Sequence, residues 1–185
     1  PRPAQRAALL GALAATHDLA VFQEVWGTEV SLLSKPLLHT HIIPTDNQSN
    51  SFWPNVLDLL YFYWNKNGGL WLASRQDIPH LHYERTVFPM SETWSGKGVQ
   101  ATLLDMAAYW GSNSTLLVVN THLDPMNIEN KFAQIAHLRG FTATLLERLQ
   151  KEGRQLELMG AVVIGDFNLE VQSSKLMEAV AGRDL

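Results

Sequence analysis

Three short apolar runs constrain the fold more than any other feature of the chain. Each is long enough for one buried strand, and each leads directly into polar residues: Gln23-Glu24 after Leu19–Phe22, Asn120-Thr121-His122 after Leu116–Val119, and Gly165-Asp166-Phe167-Asn168 after Ala161–Ile164. A buried strand gives rigid support, and its end opens onto the rim of a sheet, where binding sites tend to lie. The sequence therefore predicts a sheet protein whose functional groups stand at strand ends.

One long helix and several further strands complete the predicted core. The helix covers 130–151, where apolar residues recur at spacings of three and four and form one face. Besides the strand at Leu19–Phe22, strands are predicted at 70–75, 98–106, 115–123 and 158–164, and the last two contain the other two apolar runs. The turn composition of 111–114 predicts that the strands at 98–106 and 115–123 form a hairpin. Strands adjacent in sequence, mixed with helices, predict an α/β (α+β) layered sandwich with mixed sheets, and not a purely parallel fold.

Weaker signals assign the remaining segments. Helices are predicted at 4–15, at about 29–38 and at 172–181, although Pro36 weakens the second of them. Residues 39–55 are loop-like because they hold two prolines and a polar cluster, and 80–88 are predicted to be an extended connection.

Composition sets limits on the class of protein. With 185 residues, 46% hydrophobic and 17% charged, the chain is predicted to form a single globular domain over 1–185. A net charge of −4 gives no basic surface for nucleic acid, but a bound cation can supply the positive charge that phosphate needs. The absence of cysteine excludes disulfides and thiolate zinc sites. No apolar run approaches the roughly 20 residues of a membrane span.

The polar groups at the strand ends suit phosphate chemistry. Glu24 and Asp166 could share one hard divalent cation such as Mg²⁺, which prefers oxygen ligands. Asn168 can donate its amide to a phosphate oxygen, and His122 can donate to the reacting phosphate or exchange protons with it. Each residue alone has an ordinary structural explanation, as a solvated carboxylate, a turn former or a hydrogen-bonded packing residue. Their combination, in this order and these contexts, indicates a functional site.

Four segments resemble the endonuclease/exonuclease/phosphatase superfamily, whose fold is DNase I-like. Residues 19–25 (LAVFQEV) resemble its QEV segment, and 69–75 (GLWLASR) are similar to its second, glycine-led strand. Residues 118–123 (VVNTHL) and 163–168 (VIGDFN) resemble its THL and GDFN strands, and all four stand in family order. The resemblance implies a four-layer α/β/β/α sandwich.

The resemblance also implies roles for the strand-end residues. Glu24 would bind the catalytic Mg²⁺, for which Mn²⁺ could substitute, and Asp166 would lie at the attacking water or the metal. Asn168 would orient the phosphate, and His122 would hydrogen-bond a phosphate oxygen in the transition state. The reaction implied is in-line attack of an activated water on phosphorus, with the metal stabilising the developing charge.

A narrower resemblance, to neutral sphingomyelinases, concerns the segments 94–99 (WSGKGV) and 121–141. It implies that Lys97 contacts the phosphate or a neighbouring carboxylate; the alternative is a solvated turn lysine. The implied substrate is the phospholipid sphingomyelin, cleaved to ceramide and phosphocholine at a membrane surface. The alternatives are an endonuclease, a phosphatase of inositol phosphates or phosphoinositides, or a non-catalytic binding module on the same fold. The acidic charge disfavours nucleic acid.

Aromatic residues cluster at Phe52, Trp53 and 61–64. One interpretation is a membrane-facing patch, because aromatic rings suit the lipid interface. The other interpretation, which is favoured for 57–64, is that these aromatic residues belong to an ordinary buried segment of the core.

The chain also departs from the family pattern. The family normally begins with an Asn-bearing strand, whereas here a helix already precedes Glu24. It normally ends with an Asp-His pair, whereas no histidine follows Asn168. We therefore expect a partial domain, incomplete at both ends, that is inactive or severely impaired alone. The histidines that match no family position are expected on the surface or in loops; they are His39, His41, His80 and His82.

Overall fold

Two β-sheets form the centre of the fold. The computed structural model describes residues 3–25, 29–37, 40–43, 69–89, 97–151 and 157–169. The first sheet has the strand order β1-β3-β2, and both pairs are antiparallel. Its strands are β1 (Leu19–Phe22), β2 (Thr40–Ile43) and β3 (Trp71–Arg75).

The second sheet is longer and mixed. Its strands are β4 (His80–Val87), β5 (Gly98–Asp105), β6 (Ser114–His122) and β7 (Glu157–Asp166), in that spatial order. The first three are antiparallel, whereas β7 runs parallel to β6. The parallel pair needs a long crossover, which a helix supplies. Antiparallel and parallel pairs therefore share one sheet, as the sequence predicted.

The helices flank these sheets. At the amino-terminal end are α1 (Pro3–Ala14) and α2 (Glu29–Ser34). A short helix, α3 (Ala107–Trp110), joins β5 to β6, and α4 (Ile128–Lys151) forms the crossover from β6 to β7. Among the described residues, no helix is both long enough and apolar enough to span a membrane.

Alternating side chains of the central strands separate the layers. On β6, Val118 joins an apolar cluster with Leu72 of β3, so this cluster lies between the two sheets. Its neighbours Leu117 and Val119 belong instead to the cluster that contains Ile135 of α4. Because successive strand residues point to opposite faces, α4 covers the outer face of the second sheet.

The outer face of the first sheet is covered in the same way. Trp71 and Ala73 flank Leu72 on β3 and pack with Ala14 of α1 and Leu33 of α2. The order of layers is therefore α1 and α2, first sheet, second sheet, α4. This is the four-layer α/β/β/α sandwich implied by the family resemblance.

Some segments differ from the sequence-based predictions. Residues 40–43, predicted to be loop, form β2, because Thr-His-Ile-Ile has the β-branched composition that suits pairing with β3. The predicted connection at 80–88 is β4, an edge strand with a register shift between His80 and His82. The helix predicted over 29–38 ends at Ser34 and continues as a 3₁₀ turn over Lys35–Leu37, since Pro36 has no N–H for a helical bond.

The histidines expected in loops are in strands wherever they are described. His41 lies in β2, and His80 and His82 lie in β4. His80 is half-buried, with Nε2 2.8 Å from the Ser74 hydroxyl, so its role here is to join β4 to β3. The predictions for His39, for the aromatic residues at 52–64 and for the helix at 172–181 lie outside the described residues.

Replacing Gly140 with alanine should stabilise the protein. Gly140 lies within α4, is exposed, and a Cβ added there would meet nothing within 4 Å. Alanine loses less backbone entropy in a helix, so we expect the free energy of unfolding to rise by about 0.5–1 kcal/mol. Urea denaturation followed by circular dichroism measures the change. A decrease would mean that the α4 surface at Gly140 contacts another part of the protein.

Candidate active site

Strand pairing brings three of the predicted site residues side by side. In the register of the second sheet, Gly98 at the start of β5 pairs with His122 at the end of β6, and His122 pairs with Asp166 at the end of β7. Lys97 directly precedes β5 and therefore lies at the same edge. Glu24 reaches this edge from the first sheet, two residues after β1 ends.

The side chains meet around the imidazole of His122. Lys97 Nζ lies 2.9 Å from His122 Nε2 and 3.2 Å from Nδ1. Glu24 Oε1 is 3.9 Å from His122 Nε2 and 3.8 Å from Lys97 Nζ. Asp166 Oδ2 is 3.8 Å from His122 Nε2 on the other side. The structure thus assembles two basic groups and two carboxylates from four separate places in the chain.

Burial divides these four residues into two kinds. Lys97 and His122 are each 2% exposed, whereas the side chains of Glu24 and Asp166 are 62% and 52% exposed. Burial lowers the pKa of Lys97, and the charges of Glu24, Asp166 and Asp124 oppose that shift. The basic groups therefore form the floor of the site, and the carboxylates face the solvent from which a metal or a phosphate would arrive.

The buried position of Lys97 excludes one of the two interpretations made from the sequence, the solvated turn lysine. A solvated turn lysine would extend into water, but this one is almost fully enclosed and contacts His122 and Glu24. The Ser-Gly-Lys-Gly composition suggests a turn, whereas the contact of Lys97 with His122 shows that the lysine points inward.

Close packing against Gly69 holds Glu24 in place. Glu24 has a left-handed backbone, with φ of 59°, and Gly69 beside it has φ of 63°. The N–H of Val25 donates to the Gly69 carbonyl at 3.1 Å. A Cβ on Gly69 would lie 2.5 Å from Val25 N and 2.8 Å from Glu24 Cα, so only glycine fits here.

Asp166 and Asn168 form a tight turn after β7. The Asn168 N–H donates to Asp166 Oδ1 at 2.8 Å, which leaves Oδ2 on the side of His122. One N–H of the Asn168 side chain donates to the Leu123 carbonyl at 2.8 Å, and Lys131 Nζ donates to the Asn168 carbonyl at 2.7 Å. Asn168 is therefore held firmly beside β6, with φ of 48°, and its amide has a second N–H to offer a ligand.

The carboxylates suit a hydrated Mg²⁺ better than a caged metal. Within the ranges given above, no three or more His, Asp or Glu side chains are arranged to hold a metal ion. Mg²⁺ in enzymes is commonly bound through one or two carboxylates, with waters and substrate phosphates completing its coordination. Glu24 and Asp166 provide two exposed carboxylates at one edge, so the donor set fits this mode of binding.

Two buried residues of this region were not predicted as part of the site. Asn120 is 0% exposed and accepts a hydrogen bond from Gln23 Nε2 at 2.7 Å. Lys131 is 8% exposed and supports Asn168. The sequence signal for Asn120 is an amide directly after the apolar run Leu116–Val119, because a polar group that is buried there requires partners. The sequence contains no comparable signal for Lys131, whose position in the first turn of a helix is typical of a solvated residue.

Several solved structures of known proteins resemble this chain. No family profile matches the chain, and no curated protein matches it by sequence. An endonuclease/exonuclease/phosphatase family protein from Bacteroides thetaiotaomicron superposes with a TM-score of 0.66 at 14% identity over 98% of this chain. Sphingomyelinase C from Streptomyces griseocarneus gives 0.65 at 18% identity over 100%, and D. rerio TDP2 complexed with single-strand DNA product gives 0.61 at 18% over 99%.

The chain spans only part of each of these structures. It covers 61% of the Bacteroides protein, 64% of the sphingomyelinase and 59% of TDP2. The similarity extends over essentially the whole chain and shows that it shares the DNase I-like fold of these structures. At these identities the comparison shows the fold alone, so the chemistry has to be argued from the site itself.

Proposed function

We propose that the protein is a Mg²⁺-dependent hydrolase of phosphodiesters, in which Glu24 and Asp166 hold the metal. The observation that supports this most is the meeting of Glu24, Lys97 and Asp166 around His122. These residues come from four separate places in the chain and from both sheets. A pure scaffold has no need for two buried basic groups beneath two exposed carboxylates.

The chain's own residues have distinct roles in this proposal. Bound Mg²⁺ would supply a positive charge that stabilises the negative charge developing on the phosphate oxygens. His122 and Lys97 lie in the floor of the site, where low exposure strengthens hydrogen bonds to a phosphate oxygen. Asp166 Oδ2 is the carboxylate oxygen available to the attacking water or to the metal, because Oδ1 accepts the Asn168 N–H. The second amide N–H of Asn168 would orient the phosphate.

The substrate we propose is a sphingomyelin-type phospholipid. The Lys97-Gly98 segment resembles that of neutral sphingomyelinases, and sphingomyelinase C is among the structures that share the fold. A nucleic-acid substrate is the second candidate, because TDP2 with a single-strand DNA product has the same fold. The net charge of −4 favours the first candidate, since a nucleic-acid groove ordinarily carries an excess of lysine and arginine.

One assay separates these candidates. The protein, expressed from its complete reading frame, is incubated with sphingomyelin vesicles, single-stranded DNA or phosphoinositide vesicles, in Mg²⁺ or in EDTA. We expect release of phosphocholine from sphingomyelin, its loss in EDTA and its recovery when Mg²⁺ is added in excess. Hydrolysis of DNA alone would refute the lipid substrate but keep the phosphodiesterase proposal. No metal-dependent hydrolysis of any of the three would argue for a binding module.

Replacing Lys97 with methionine should affect metal binding and catalysis in opposite directions. The change removes a positive charge 3.8 Å from the Glu24 carboxylate while it preserves side-chain volume. Without the repulsion between the Lys97 ammonium and the cation, Mn²⁺ should bind roughly threefold to tenfold more tightly. Loss of a phosphate contact should lower kcat/KM by about tenfold to a hundredfold. Isothermal titration with Mn²⁺ and steady-state kinetics measure the two effects.

Lys151 provides the control for this experiment. Its side chain is 81% exposed at the far end of α4, so Lys151→Met removes the same charge without altering the site. Weaker Mn²⁺ binding in Lys97→Met would contradict the proposed role and would mean that Lys97 serves mainly to hold Glu24 in position.

A further inference from the structure

Asn120 is a fully buried amide in the middle of the sandwich. It lies on β6, two residues before His122, and its exposure is 0%. A buried amide costs free energy unless its donors and acceptor are satisfied, so its partners define its role. Val118, which shares its face of β6, packs in the apolar layer between the sheets. Asn120 therefore points from the second sheet towards the first.

The partners of Asn120 belong mainly to the first sheet. Gln23 Nε2 donates to Asn120 Oδ1 at 2.7 Å, directly after the end of β1. Asn120 Nδ2 lies within donating distance of two backbone carbonyls, those of Phe22 at 3.0 Å and Trp71 at 3.2 Å. A weaker contact, at 3.4 Å, joins Nδ2 to Gln100 Oε1 of β5. One side chain of β6 thus contacts both β1 and β3 of the opposite sheet.

These contacts lie directly behind the candidate active site. Phe22 and Gln23 immediately precede Glu24, the one candidate residue that the first sheet contributes. Apolar contacts between the sheets are non-directional and tolerate sliding, whereas hydrogen bonds fix the distance and angle between their partners. The position of Glu24 relative to His122, 3.9 Å between Oε1 and Nε2, thus depends on a directional link next to both residues.

We propose that Asn120 is a positioning residue that holds the Gln23-Glu24 end of β1 against β6. It sets the distance from Glu24 to His122 and Lys97 without contacting substrate or metal. The importance of that distance rests on the proposed function, because Glu24 binds a metal only if that function is correct. The link itself is a property of the fold and can be tested separately.

The test compares Asn120→Ala with a matched substitution in the same sheet. Thr102 of β5 is also 0% exposed, and its hydroxyl has no hydrogen-bond partner among the described residues. Thr102→Val therefore removes a buried polar group that joins nothing. Gln23→Ala, at a half-buried position, removes the same link from the other sheet and protects the test against a failure of Asn120→Ala to fold.

Two measurements are made on each variant. Hydrogen–deuterium exchange of peptides covering 19–25 reports the local link, since the Val25 N–H is protected by its bond to Gly69. Titration with Mn²⁺ reports the position of Glu24. We expect exchange in 19–25 to quicken about tenfold in Asn120→Ala and Gln23→Ala, with α4 unchanged, and Mn²⁺ affinity to fall by about tenfold. Thr102→Val should change neither.

The outcomes separate this inference from the proposed function. Unchanged exchange in 19–25 would overturn the positioning role. An equal increase of exchange in α4 would also overturn it, because it would indicate a general loss of stability. Faster local exchange with unaltered Mn²⁺ affinity would also overturn it, since the link would then not set the position of Glu24. If the unsubstituted protein binds no Mn²⁺, the metal proposal fails, and the exchange data alone confirm or refute the link.

Discussion

Substituting Glu24 with glutamine is expected to lower kcat/KM for Mg²⁺-dependent phosphodiester hydrolysis by about 10²- to 10⁴-fold. The amide keeps the shape of the side chain but removes the negative charge that the proposed metal requires. The side chain is 62% exposed, so the loss of its charge should leave the fold intact. Mn²⁺ affinity should fall together with the rate, and thermal unfolding should change little.

Glu147 is the matched control for Glu24. Its side chain is 70% exposed and lies near the far end of α4, where it forms a weak ion pair with Lys151. Glu147→Gln removes the same charge at a similar exposure and should leave both kinetics and Mn²⁺ binding unchanged. Hydrolysis by Glu24→Gln at the rate of the unsubstituted protein would remove Glu24 from the metal site.

Gly165→Ala should cause the largest loss of stability among the substitutions considered. Gly165 lies on β7 beside Thr121 of β6, and a Cβ there would collide with the Thr121 carbonyl oxygen and crowd its backbone. Its φ of 157° is also one that side-chain-bearing residues rarely adopt. Backbone cannot give way as a flexible side chain can, so we expect a loss of about 3 kcal/mol or more in the free energy of unfolding. Urea denaturation measures it.

Gly160, on the same strand, tests whether the loss of stability is specific to Gly165 or would follow from replacing any glycine of β7. A Cβ at Gly160 would approach only the Leu116 side chain, at 4.0 Å, which is ordinary contact. Gly160→Ala should therefore unfold within about 0.5 kcal/mol of the parent. Because Gly165 directly precedes Asp166, Gly165→Ala should also weaken Mn²⁺ binding, and a fully stable variant with normal binding would contradict the register described for β6 and β7.

Periodicity predicted the parts of the fold that bury a continuous face. The apolar face of the helix predicted at 130–151 and the apolar run Leu116–Val119 of β6 are such parts, and both form the predicted elements. The sequence predicts only an extended connection where β4 lies, because His-Leu-His-Tyr-Glu-Arg-Thr-Val is polar at most positions; the strand is half-buried along nearly its whole length. Such an edge strand is held by its neighbour's hydrogen bonds more than by an apolar face.

The candidate site was predictable wherever a polar residue stands at the end of an apolar run. His122 and Asp166 stand just beyond two short apolar runs, and the structure brings them together as neighbours across β6 and β7. The prediction that the run Ala161–Ile164 is buried was wrong, because most of β7 is exposed among the described residues. Burial of Lys97 was not predictable from its local composition, because it depends on how β5 pairs with β6 far along the chain. The roles of all these residues in catalysis remain predictions that the substitutions above test.

The link between Asn120 and Gln23 has a kinetic consequence. Its two residues are 97 positions apart in sequence, so the chain must close a long loop before their hydrogen bond forms. Closing such loops costs entropy that is recovered only when the distant contacts are made, and folding dominated by them is slow. The metal-binding geometry should therefore appear last on refolding, after the strands themselves. Recovery of Mn²⁺ affinity would then mark the docking of one sheet on the other, and its delay behind the circular dichroism signal would give the rate of that step.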